Sequence, residues 1–232
     1  VSDNADLPAT GIKAATDAVT YSGDAAHVQL MRLVDVAGAE GSKSVTALVL
    51  PVSAAAGENH IGAVGGNSAV VGGTFNRPAD TNLYAIGDLV ANSTTAGSVA
   101  PIACAAARVN AGTGVIRRVR LSTNHTGLLG TEVFRVRLFK TSPTVTVGDN
   151  GVLNAGGSSA LAVNGVGALS LGYVDVTLSE IFNDGSKGYA AADILFDAAS
   201  GSQNIYALIE ARSSYTPASG ETFALALEVY QD

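Results

Sequence analysis

The sequence predicts an all-β protein: an antiparallel β-sandwich, jelly-roll-like, preceded by an extended N-terminal arm and a β-hairpin. Three observations carry this. From residue 83 onward, short segments alternate apolar and polar positions with a period of two, the pattern of half-buried strands. Turn-forming clusters separate them, among them Asn110-Ala111-Gly112, Asp149-Asn150-Gly151, Asn183-Asp184-Gly185 and Ala199-Ser200-Gly201. The chain of 232 residues holds 27 Gly and no Trp, and its 47% hydrophobic content is mostly Ala and Val, which suits close strands and many turns.

The stretch 74–92, TFNRPADTNLYAIGDLVAN, divides the chain. Pro78 fixes φ and removes a backbone donor, so Asn76-Arg77-Pro78 reads as an extended lead-in. Residues 1–73 form the expected arm, hairpin and Gly/Ala-rich linker, and 74–232 the sandwich. Within the first part, 1–26 are small and polar, interrupted by Pro8, Gly11 and Gly23, and read either as a disordered tail or as an arm that orders on a partner. Residues 27–52 alternate on both sides of the loop 38–43 and read as a hairpin that needs a packing partner. Residues 53–73 read as a linker with a short extended piece at 60–62.

In the sandwich, strands are expected near 83–90, 101–109, 115–122, 132–140, 171–178, 192–197, 203–211 and 222–231, a number that suits a jelly roll. Phe134, Val136 and Leu138 point one way and Arg135 and Arg137 the other; Phe223, Leu225, Leu227 and Val229 alternate likewise with their neighbours. The Gly-rich run 144–170 reads as an excursion between two halves, 179–182 as a short helical turn, and Gly185-Ser186-Lys187-Gly188 as a surface turn. Cys104 lies in an apolar run, reads as buried and inert, and leaves no disulfide partner.

No catalytic residues, cofactor site or metal site are expected. A phosphate-cradling loop and a G-x-S-x-G elbow are both missing, Gly66-Asn67-Ser68-Ala69-Val70 coming nearest to the elbow. His27, His60 and His125 are scattered, whereas zinc needs ligands at close spacing. Asp175, Glu180 and Glu210 fall on different strands, and paired-carboxylate chemistry does not follow without geometry. A net charge of −7 argues against nucleic acid as partner. No apolar run has the length of a membrane helix, and VSDNADLPAT lacks the basic start and apolar centre of a secretion signal, so a soluble chain is expected.

One electrostatic grouping stands out. Arg108, Arg117, Arg118, Arg120, Arg135, Arg137 and Lys140, seven of the 13 basic residues, lie in a stretch whose only acid is Glu132. If the strands carrying them pair, the charges form a ribbon. One reading is a solvated outer face with Asp or Glu opposite. The other is a docking surface for an acidic protein, with Arg117, Arg118, Arg120, Arg135 and Arg137 as the partner-binding set.

The stretch FNRPADTNLYAIGDLVANST resembles a segment of tailed-bacteriophage virion structural proteins in which an R-P-A-D-T-x-x-Y-x-x-G-D run opens a β domain. ARVNAGTGVI from Ala107 and FRVRLF from Phe134 are similar to further pieces of those proteins, with Arg137 where they carry an aromatic. The likeness is to the capsid decoration (cement) or head-fibre type. It implies a non-enzymatic protein on the outer capsid surface of a virion, bound to the major capsid protein between its subunits, as a homotrimer. The alternative is a tail-fibre or baseplate protein that binds a host glycan; aromatic content of 6% without Trp counts against it.

Overall fold

The computed structural model describes residues 3–6, 13–16, 18–21, 24–27, 67–155, 160–164 and 169–232. The chain divides into two compact units, Val1–Asn59 and His60–Asp232. In the first, β1 (Asp3–Asp6) pairs antiparallel with β2 (Lys13–Thr16), and β3 (Ala18–Tyr21) with β4 (Asp24–His27). The stretch expected to be a disordered tail or a partner-ordered arm thus contains two small hairpins, the second reaching His27. Segments such as DNAD and DAAH have no apolar alternation, so a period-two test passes over them. The hairpin expected over 27–52, beyond His27, and the extended piece at 60–62 lie outside the described residues.

The second unit contains β5 (Asn67–Asn76), β6 (Leu89–Val90), β7 (Ile102–Cys104), β8 (Thr113–Thr123), β9 (Val133–Phe139), β10 (Thr144–Val145), β11 (Val163–Asn164), β12 (Ser170–Thr177), β13 (Glu180–Phe182), β14 (Gly185–Asp197), β15 (Ile205–Ala211) and β16 (Thr222–Gln231). One sheet runs β13-β14-β8-β16-β5; the other runs β12-β9-β15-β6, with β7 also on β15. Because β6 and β7 both pair with β15 while β9 holds its other side, they fill one position in two pieces. Eight positions then pair first with last, second with seventh, third with sixth and fourth with fifth, all antiparallel. That rolled-up order is the jelly-roll connectivity. The all-β sandwich expected from alternation is what the chain forms.

The core follows the period of two. Phe134, Val136 and Leu138 of β9 face Phe223, Leu225, Leu227 and Val229 of β16, with Ile116, Val119, Leu121, Val176, Ile205 and Ile209 buried among them. Phe134 meets Phe223 edge to face at 5.4 Å between ring centres and Tyr215 at 5.2 Å. Cys104 is fully buried, and burial pushes its thiol up to about 12, as an inert core residue requires.

Several expectations change. Strand β5 begins at Asn67, inside the run read as linker, so the sandwich starts before residue 74. The adjacent Val70 and Val71 and the Gly72-Gly73 pair hide its alternation. Gly72 is there for proximity rather than freedom: a Cβ on it would stand 1.9 Å from the Leu225 carbonyl oxygen. Gly188 does the same against Thr177 O, also at 1.9 Å, so the supposed surface turn at 185–188 is the start of β14. Residues 180–182 form β13 rather than a helical turn, because they pair with Lys187, Ser186 and Gly185 across the Asn183-Asp184 turn. Of 83–90 only Leu89–Val90 is strand, while Tyr84 makes one isolated bridge to Tyr215. In the described part of the excursion, β10 and β11 pair, and Val145, Leu153 and Val163 form a second small core with Leu89, Phe139 and Leu208.

Phe134→Ala empties the centre of the aromatic contact and is expected to cost about 3–5 kcal/mol of stability by denaturant unfolding. A loss under about 1 kcal/mol would show that these rings do not organise the core.

Candidate functional site: the outer face of the first sheet

The five arginines expected to act together are divided between two faces. Strands β8 and β9 follow one another in the chain but lie in opposite sheets, as the rolled order requires, so no continuous basic ribbon forms. This corrects the pairing on which the ribbon rested.

On the second sheet, Arg135 stands between Asp175 of β12 and Glu210 of β15 in register. It donates to both Asp175 oxygens, at 2.7 and 2.8 Å, with its guanidinium carbon 3.8 Å from the centre of the Tyr173 ring. Arg137 Nε donates to Glu210 Oε2 at 2.5 Å and Arg212 Nη1 to Glu210 Oε1 at 3.1 Å. Glu210 is fully buried, so its charge needs both arginines. The Arg135 hydrogen bonds hold the Asp175 carboxyl below its ordinary value of 3.8, with burial partly opposing them. Arg135 and Arg137 are therefore committed to ion pairs on the outer face of the second sheet. The carboxylates considered for acid–base work behave the same way: Asp175 and Glu210 serve arginines, and Glu180 lies on β13 of the other sheet.

On the first sheet the arrangement is open. A β-bulge puts one extra residue of β8 at Arg117, between the pairs Ile116↔Val229 and Arg118↔Glu228. The bulge shifts the alternation, so Ile116 and Val119 both point inward and Arg117 and Arg118 are both exposed. Plain alternation, which places only Arg118 and Arg120 together, misses this. Arg117 pairs with Asp193; Arg118 Nη1 lies 3.5 Å and Arg120 Nε 3.0 Å from Glu228 Oε1. Arg120 Nε is close enough for an ion pair but out of line for a hydrogen bond, and among the described residues it has no hydrogen-bond partner although it is shielded from water. Among the described residues, three arginines thus face two acids. Around them the same face exposes Val70 by 61%, Tyr189 by 55%, Leu195 by 76% and Tyr230 by 52%. Arg118 sits over Tyr189 at 5.6 Å and Arg117 over Tyr230 at 6.0 Å. Ser68, Val70, Arg117, Arg120, Glu228 and Tyr230 border a depression of about 300 Å³.

A polar cluster at one end of the sandwich is buried instead. Arg77 Nη2 donates to Asp149 Oδ2 at 3.0 Å and to Asp80 Oδ1 at 3.3 Å, and its Nε to the Tyr84 hydroxyl. Tyr84 and the Ala91 amide donate to Asp149 Oδ1 at 2.5 and 2.7 Å. Burial raises the Asp149 carboxyl, while Tyr84, Ala91 and Arg77 pull it back. The Asp80 contact is the Arg-Pro turn with a nearby acid that the sequence suggests; Asp149 is 72 residues away and carries no local signal. Among the described residues, no group of three or more His, Cys, Asp or Glu is placed to hold a metal ion. No known protein family matches the chain, and no curated protein is detectably similar to it.

Two outcomes follow. Glu210→Ala strands Arg137 and Arg212 and is expected to cost about 3 kcal/mol by denaturant unfolding; an unchanged midpoint would make the trio solvated surface. Asp175, with its pKa depressed on folding, stabilises the protein above pH 3.8, and this contribution is lost as pH falls through the lower folded value. Asp175→Asn should therefore flatten the acid limb of a stability–pH curve, and identical limbs would refute the assignment.

Proposed function

We propose that the chain is a non-enzymatic virion structural protein, a decoration protein that binds the outside of a tailed-phage head between major capsid subunits. The observation supporting this reading is the two-unit organisation: a separate unit over Val1–Asn59 and a jelly-roll unit with its own core over His60–Asp232. The similarity of residues 75–94 to virion proteins points the same way. In this reading residues 1–59 attach the protein to the shell, and the sandwich stays exposed. Arg135 and Arg137 hold their own sheet together and drop out of the docking set; Arg117, Arg118 and Arg120 remain available to a partner.

Attachment of this kind works by contact area and by multiplicity. A homotrimer placed where capsid subunits meet engages three equivalent sites, and the second and third contacts form at high effective concentration. Bridging adjacent subunits adds interface that opposes pressure from packaged DNA.

Cryo-electron microscopy of purified virions is expected to show density of this shape at three-fold or quasi-three-fold positions of the head; density confined to the tail ends the reading. The chain lacking residues 1–59 should keep its sandwich, with an unchanged near-ultraviolet spectrum, and fail to rebind undecorated heads. Undiminished rebinding would move attachment to the sandwich itself.

A further inference from the structure

The depression on the first sheet has the chemistry of a ligand site, and we infer that it binds a sugar carrying a carboxylate, such as a uronic or sialic acid unit. Its size is at the small end of ligand pockets, which start near ~300 Å³. Its walls combine three kinds of group that such a sugar needs together. Tyr230, half-exposed and steadied by Arg117 at 6.0 Å, offers a ring face to the apolar side of a pyranose. Arg117 and Arg120 border it with guanidinium groups, whose planar donor forks match a carboxylate. Glu228 and the Ser68 hydroxyl can accept from, and Ser68 can also donate to, sugar hydroxyls.

The charge balance of the face favours an anion. Among the described residues, Arg117, Arg118 and Arg120 meet only Asp193 and Glu228, leaving one positive charge over there on a chain whose net charge is −7. Arg120 is the group with donors to spare. Among the described residues its one close acid, Glu228, is shared with Arg118, and Arg120 Nε has no hydrogen-bond partner. A shielded donor without a partner carries a cost that a bound acceptor relieves when the side chain turns to meet it. What differs on the second sheet is burial: Arg135 spends Nε and Nη2 on Asp175, and Arg137, its side chain 11% exposed, spends Nε on the buried Glu210 that it shares with Arg212. The bulge at Arg117 turns an extra, exposed arginine onto the first face. The inference concerns the sandwich face and holds whether the chain sits on the head or the tail.

The test uses the full chain and nitrogen-15 NMR that includes arginine Nε–H signals. The probes are glucuronic acid, N-acetylneuraminic acid, neutral methyl glucoside, acetate and a hexaglutamate peptide. The sugar acids are expected to bind in the millimolar range, shifting the Arg117, Arg120 and Tyr230 signals, with methyl glucoside and acetate at least ~10-fold weaker. Arg120→Gln and Tyr230→Ala should each weaken sugar-acid binding by about 10-fold, while Lys187→Gln on the same face leaves it unchanged. Unchanged thermal midpoints for the variants separate lost binding from lost fold. Equal affinity for methyl glucoside or acetate, tighter binding of hexaglutamate, insensitivity to both variants, or no shift with either sugar acid each overturns the assignment.

Discussion

Arg77 is buried with its charge, and it can remain there because Asp149, Tyr84 and Asp80 surround it. An uncompensated charge in that position would cost several kcal/mol, so the four side chains form or fail together. Their connections reach into both sheets. Arg77 follows β5 of the first sheet, and its amide donates to the carbonyl of Glu221, just ahead of β16; Asp149 receives the amide of Ala91, just after β6 of the second. The Tyr84 ring stacks on Tyr215, whose hydroxyl donates to buried Glu221, which also accepts from Thr123 of β8. One polar cluster therefore fixes the end of the sandwich where the sheets come together, and it also fastens the start of the 144–170 excursion. Hydrophobic contact alone fills the middle of the sandwich but does not select a single alignment of one sheet on the other. Directional bonds between buried charges do, because only one placement satisfies all of them.

The arginines show how the same residue type serves two purposes under two local geometries. On β9, strict alternation places Arg135 beside acids of both neighbouring strands, Arg137 reaches Glu210 diagonally, and both arginines are largely buried in their ion pairs. On β8, a single inserted residue breaks the alternation, and arginines outnumber the acids in reach. The first pattern contributes cohesion. The second leaves an unsaturated basic patch flanked by aromatic rings, the kind of surface from which recognition is built.

Much of the fold was legible because most sandwich strands have one wet and one dry face. The alternation of Phe134, Val136 and Leu138, and of Phe223 through Val229, is the direct mark of that, and those strands were located to within a residue or two. What escaped has particular causes. In β5, Gly72 meets a neighbouring carbonyl at close range, and a glycine chosen for lack of bulk looks in sequence like one chosen for flexibility. Strand β13 has three residues, too few for any period to appear. The bulge at Arg117 moves a side chain across the sheet without leaving a turn signal. Long-range partners are the largest gap: Asp149 for Arg77, and Asp175 and Glu210 for Arg135 and Arg137, are set by strand order. The rolled order separates consecutive strands, so the apparent basic cluster between residues 108 and 140 was a nearness in sequence that the fold undoes.

The pairing of β5 with β16 also governs when the molecule can become itself. Asn67 and Gln231 are bonded side chain to side chain across 164 positions of the chain. Closing so long a loop comes late, because its entropy must be overcome before the ladder returns anything. During synthesis, β5 leaves the ribosome long before its partner exists, with Val70, Val71 and Phe75 unpaired. The sandwich is therefore completed only after β16 has emerged. Until then its first strand is a sticky edge, and the time spent in that state, rather than the stability of the finished fold, sets the hazard of association with other nascent chains.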